Sequence, residues 1–147
     1  MGITASSHAA LPFLLKLLFG ILLPVPHADK VGAERVIAHV SGWTWDEANA
    51  AEPGDDIMGS DWRNREGLPP AGSLKRFLVV RPSFLTNGEC IADKEEYKLG
   101  SANVPYRISE EDFYAWTISR RDAAHFIAQA ILSKWDEFNN KIINLGY

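Results

Sequence analysis

One cysteine, two methionines and no block of basic residues narrow the chain before any motif is read. Cys90 alone cannot close an internal disulfide, and Cys/His metal-ligand spacing is absent, so the expected setting is reducing and cytoplasmic, without a metal site. With 15 basic against 19 acidic residues, for a net charge of -4, there is no nucleic-acid footprint. Long apolar runs are also scarce. The run 11–25 falls short of the roughly 20 residues a bilayer needs, contains Lys16, and closes on Pro24 and Pro26, so no transmembrane segment is expected. It is equally poor as a secretory signal, because only His8 precedes it as a chargeable side chain, and cleavage after Ala28 would place Pro26 where a small residue is needed. The start Met1-Gly2-Ile3-Thr4-Ala5-Ser6 matches the loose myristoylation pattern, which is read as a chance match.

What is present is ordinary for one globular domain: 147 residues, 46% apolar and 23% charged. Residues 11–23 read as a mostly buried helix ended by Pro24 and Pro26. A second helix follows, capped by Asp29, with Ala33, Val36, Ile37 and Val40 as its buried stripe and Ser41-Gly42 as its stop. Periodicity then vanishes over 43–73, where glycine and proline recur among Trp43, Trp45 and Trp62; an irregular insertion is expected there, with a functional lid as the competing reading. Residues 77–80 form an apolar, β-rich run of the kind buried on both faces of a parallel sheet, terminated by Arg81-Pro82. Short strands are expected at 96–99 and 104–108. Ser119 caps a helix with Asp122 at the third position and Ala123, Phe126, Ile127, Ala130 and Ile131 on its buried face, and residues 140–145 give a last strand. This order suits an α/β sheet seen from its middle onward.

Two stretches carry a resemblance: Arg81-Pro82-Ser83-Phe84-Leu85-Thr86-Asn87-Gly88, and Thr117-Ile118-Ser119-Arg120-Arg121-Asp122-Ala123-Ala124-His125-Phe126. Together they resemble the C-terminal half of the atypical short-chain dehydrogenase/reductases, which are NAD(P)-binding Rossmann-like proteins. The resemblance covers 3–40, 78–88 and 117–147. It implies a single partial domain, α/β and Rossmann-like, a doubly wound parallel sheet lacking its N-terminal nucleotide-binding half. It also implies NAD or NADP as cofactor. Yet no Gly-x-Gly-x-x-Gly or Gly-x-x-Gly-x-x-Gly occurs, and such a turn is what lets backbone N–H groups reach a pyrophosphate.

The site residues follow from the same resemblance. Ile3-Thr4-Ala5-Ser6-Ser7 looks like a strand tail with its Ser/Thr turn, which makes Ser6 a cofactor-side candidate. Pro26-His27-Ala28-Asp29-Lys30 looks like the catalytic segment, with Pro26 where the family's acid tyrosine stands and Lys30 in the place of the ribose-binding lysine. His27 is then a substitute acid, against the plain reading of a loop histidine; Lys30 is weighed against a solvated lysine paired with Glu34. Arg81, Pro82 and Ser83 fall on the cofactor side, because ligands sit off the carboxyl ends of parallel strands. Arg120 and Arg121 open a helix, where cations oppose the macrodipole, and are candidates for an anionic substrate group or for pairing with nearby acids. The expected protein is a reductase-like fragment without independent catalysis. Its rivals are an oxidoreductase completed by another chain segment and a non-catalytic interaction protein with a vestigial dinucleotide site. An incomplete sheet implies self-association or a partner chain at its edge.

Overall fold

A computed structural model describes residues 4–22, 24–46, 50, 53–94 and 104–147. It is a mixed α/β structure that divides into two compact units: residues 4–9 and 13–75, and residues 10–12 and 76–147. Among the described residues no helix is long and apolar enough to cross a membrane.

The first unit is helical: α1 Ala5–Ala9, α2 Phe13–Leu22, α3 Pro24–Ser41 and α4 Asp55–Met58, followed by a 3-10 turn at Trp62–Asn64. Three expectations are corrected here. Thr4, Ala5 and Ser6 lie in a bend and helix rather than at a strand end, while Ile3 falls outside the described residues. The two prolines begin α3 instead of ending its predecessor. Proline fits the first helical turn, whose N–H groups have no intrahelical partner, so the helix starts at Pro24 and Asp29 is interior rather than a cap. Among the described residues the apolar run is also less buried than expected: Leu11, Pro12 and Leu15 are buried, but Phe13, Leu14, Leu17 and Ile21 are exposed.

On α3 the buried residues are Val31, Gly32, Glu34, Ala38 and Val40, so the stripe is rotated from the expected one and Ala33 faces solvent. Its end follows from Gly42, whose φ of 77° allows the left-handed turn that closes a Schellman motif. Trp43 N–H donates to Ala38 C=O (2.9 Å) and Gly42 N–H to His39 C=O (3.2 Å). The chain then returns along α3. Gly72 N–H donates to His39 C=O (3.2 Å) and Leu74 N–H to Val40 C=O (2.8 Å). Trp62 is buried edge-on to His39, with ring centroids 5.4 Å apart, and the Arg35 and Arg63 guanidiniums lie 5.4 and 4.6 Å from its ring. The segment 53–74 therefore carries two short helical pieces docked on α3 through a buried aromatic.

The second unit holds the strands β1 Leu78–Pro82, β2 Phe84–Thr86, β3 Arg107–Ser109, β4 Thr117–Ser119 and β5 Lys141–Gly146, with α5 Arg120–Leu132 and α6 Trp135–Phe138 before β5. β1 pairs in parallel with β5, which pairs antiparallel with β3, while β2 pairs in parallel with β4. Arg81 and Pro82 thus belong to β1, and after Ser83 the same extended stretch resumes as β2 with a different neighbour. The strand expected at 104–108 begins only at Arg107, beyond Pro105, which cannot donate to a ladder. The strand expected at 96–99 lies outside the described residues.

Phe126, Ile118, Ile143, Leu145 and Ala130 form the middle of the core, with Phe126 edge-on to Phe138 at 5.2 Å. The buried face of α5 is Asp122, Ala123, Phe126 and Ala130; Ile127 and Ile131 are exposed, against expectation. The shift puts a carboxylate, not an isoleucine, on the inward face.

Candidate functional site at the strand ends

β2 and β4 run side by side from Phe84↔Thr117 to Thr86↔Ser119, so their carboxyl ends open onto the start of α5. Here the two motif stretches meet. Arg120 Nη1 donates to Asn87 Oδ1 (2.6 Å) across the gap between them. Ser119 caps the helix: its Oγ accepts from Asp122 N–H (2.9 Å) and donates to Asp122 Oδ2 (3.0 Å).

Asp122 is wholly buried and collects donors from three stretches of chain. Ile91 N–H (3.2 Å), Ala92 N–H (2.9 Å) and the Cys90 thiol (3.3 Å) reach it from the turn after β2. The Tyr147 hydroxyl donates to it from beyond β5 and accepts from Ser119 N–H (3.2 Å). Burial alone pushes the Asp122 carboxyl up, but the bonds from Tyr147, Ala92, Ile91 and Ser119 outweigh it and hold it below its ordinary value. Its charge has the converse effect on neighbours. Burial, then the bond to Asp122, pushes the Cys90 thiol up to about 11 and raises the Tyr147 phenol. Tyr106 is raised by burial and then by the Asp122 charge; its hydroxyl lies 2.7 Å from His125 Nδ1.

One strand away, Ser83 N–H and Oγ both donate to Leu145 C=O (2.7 and 3.0 Å). Gly146 beside them has no room for a side chain, since a Cβ there would lie 2.1 Å from Ser83 Oγ and 2.7 Å from Ala115 Cβ. Arg81 is buried opposite Asn144, which is itself buried with Oδ1 accepting no hydrogen bond.

The structure therefore brings Arg81, Pro82, Ser83 and Arg120 into one unit, with Arg121 exposed on the first turn of α5. Ser6, His27 and Lys30 belong to the other unit: Ser6 and Lys30 are exposed and His27 is half-buried. Burial, then His8 and Lys30, lowers the His27 pKa, which favours a neutral imidazole that accepts rather than gives a proton near pH 7. Sequence reasoning identified Asp122 as a cap but missed its wider role. The spacing Ser119-x-x-Asp122 signals the cap; no local pattern signals Tyr147 or the backbone donors of Ile91 and Ala92.

These residues do not suit a pyrophosphate. A helix start attracts anions through its free N–H groups and dipole, but at α5 that place is filled by the buried Asp122 carboxylate. Two cavities among the described residues are small as well: about 290 Å³ between β3, α5, α6 and the start of β5, and about 230 Å³ beside α3. Both fall under the roughly 300–1,000 Å³ of drug-sized ligand pockets. Among the described residues no group of three or more His, Cys, Asp or Glu side chains is placed to hold a metal ion.

No family model matches the chain, and no solved structure matches it. Among curated proteins it is similar to Reductase pytE of Aspergillus terreus, at 26% identity over 141 residues. That alignment takes in 93% of this chain and 42% of the reductase, so the chain spans less than half the length of this relative.

Proposed function

We propose that this chain is the C-terminal part of an NAD(P)-binding, reductase-like protein of the atypical short-chain dehydrogenase/reductase type, and that it is not catalytic alone. The observation that carries this reading is the meeting of the two motif stretches at the carboxyl ends of the parallel pair β2 and β4, around Asp122. Ligands of open α/β sheets collect at such strand ends. The partial similarity to a reductase supports the same direction.

In this proposal Arg81, Pro82 and Ser83 face the cofactor side of their unit, and Ser6 and Lys30 carry the cofactor role that the resemblance assigns them in the other unit. Lys30 and His27 are the candidate catalytic groups, and Arg120 and Arg121 meet an anionic group. This chain by itself is expected to bind NAD or NADP weakly or not at all, because Asp122 fills the anion position at α5 and no glycine-rich turn occurs in the sequence. The setting is cytoplasmic.

Titration of the chain with NADH and NADPH, following nucleotide and protein fluorescence, is expected to show no saturable binding at micromolar concentrations. Saturable micromolar binding to a monodisperse monomer would overturn the reading. A second reading is an oxidoreductase made competent by the remaining part of the sheet, since the reductase relative is more than twice as long as the aligned stretch. β1 has one paired neighbour among the described residues, so its other edge is where a completing strand would add. Co-expression with the remaining part of such a reductase, followed by a carbonyl-reduction assay, tests it; activity unaffected by substitution of both His27 and Lys30 would show the catalytic groups to be misplaced.

A further inference from the structure

The cavity beside α3 has a chemistry unrelated to dinucleotides. Gly32, Val36, Ile57, Met58 and Trp62 give it an apolar lining, and its charged members are one acid, Asp29, and one base, Arg65. We propose that it binds a free apolar α-amino acid, with the ammonium group on Asp29, the carboxylate on Arg65 and the side chain against Met58 and Trp62. Being one turn inside α3, Asp29 spends nothing on capping, and its carboxylate has no partner among the described residues. Arg65 is held in place by one bond, Nη2 to Met58 C=O at 3.0 Å, which leaves other N–H groups of its fork for a carboxylate. Gly59 makes room for that guanidinium, since a Cβ there would lie 3.2 Å from Arg65 Nη2.

Size and charge select the class. About 230 Å³ is too small for a drug-sized ligand but suits a single small apolar body. An amine alone would leave Arg65 unanswered and a carboxylic acid alone would leave Asp29 unanswered; a zwitterion matches both. The cavity lies within the unit of residues 13–75, so this inference stands apart from the reductase reading.

The test titrates the full chain with L-leucine, L-methionine and L-phenylalanine, reading tryptophan fluorescence and thermal unfolding, with 3-methylbutylamine and 4-methylpentanoate as the singly charged analogues of leucine. At least one amino acid is expected to saturate, with each analogue weaker by about fivefold, the scale of an exposed ion pair. Asp29→Asn and Arg65→Gln should each weaken binding by a similar factor. Ala33→Phe, at an exposed position lining the cavity, should abolish binding while leaving the unfolding midpoint of the free protein unchanged. Absence of saturation by all three amino acids, equal binding of leucine and its analogues, or indifference to Asp29→Asn and Arg65→Gln would each overturn the proposal.

Discussion

In residues 76–147 a buried carboxylate, Asp122, is surrounded by donors from three stretches of chain, whereas in residues 53–74 a buried indole, Trp62, is flanked by two guanidiniums and set edge-on to His39. The first arrangement is centred on a charge, and two of its five donors are backbone N–H groups that any residue but proline could supply. The second is centred on a large apolar ring, and its partners are side chains. Such centres fail differently. Removing a buried charge strands its donors, while removing a buried ring leaves a hole.

Trp62→Ala is expected to have the largest effect, about 3–5 kcal/mol of local stability, the usual cost of deleting a buried aromatic. Hydrogen exchange should show the loss as faster exchange along α3. Equal acceleration in α5 would mean that both regions open together and would break the comparison.

Asp122→Asn comes next, at about 3 kcal/mol, because an amide presents donors of its own to groups that already donate. This variant should also change the acid response. The folded pKa of Asp122 is lowered, so the stability it contributes is fully present above the unfolded value of about 3.9 and is lost as pH falls through the lower folded value. Wild-type stability should therefore drop below about pH 4 by more than that of Asp122→Asn. Denaturant unfolding at several pH values reads the difference, and parallel acid limbs for the two proteins would count against it.

Gly146→Ala should cost about 1–3 kcal/mol, since the new methyl must displace Ser83 or Ala115 in a filled space. Tyr147→Phe should cost less, about 1 kcal/mol, because the ring stays while Asp122 loses one donor and Ser119 N–H loses its acceptor. The order of these two sharpens the comparison: if Tyr147→Phe proved the worse, the hydroxyl would be central to the Asp122 assembly rather than peripheral.

How far the sequence was legible follows the same division. The Ser119 cap, the Gly42 stop and the strand at Lys141–Gly146 all depend on residues close together in the chain, and each was readable. The inward face of α5 was not, because hydrophobicity alone ranks Ile127 and Ile131 above Asp122, and only distant donors make that carboxylate cheaper to bury than to expose. On α3 the two prolines suit a first turn as well as a termination, and no neighbouring residue decides between the two. β2 and β4 are three-residue strands whose pairing is set by each other, not by any run of their own. At the candidate site, the pairing of Ser119 with Asp122 was legible through its spacing; the hydroxyl of Tyr147 was not.

The Cys90 thiol, pushed up to about 11, is a timer as well as a donor. A thiol held that high carries little of the reactive thiolate near pH 7. Alkylating reagents should therefore be almost idle on the folded chain and fast once Cys90 parts from Asp122. Since no other sulfhydryl competes, the rate of labelling at a single atom would record how often that assembly comes undone, without any residue being introduced.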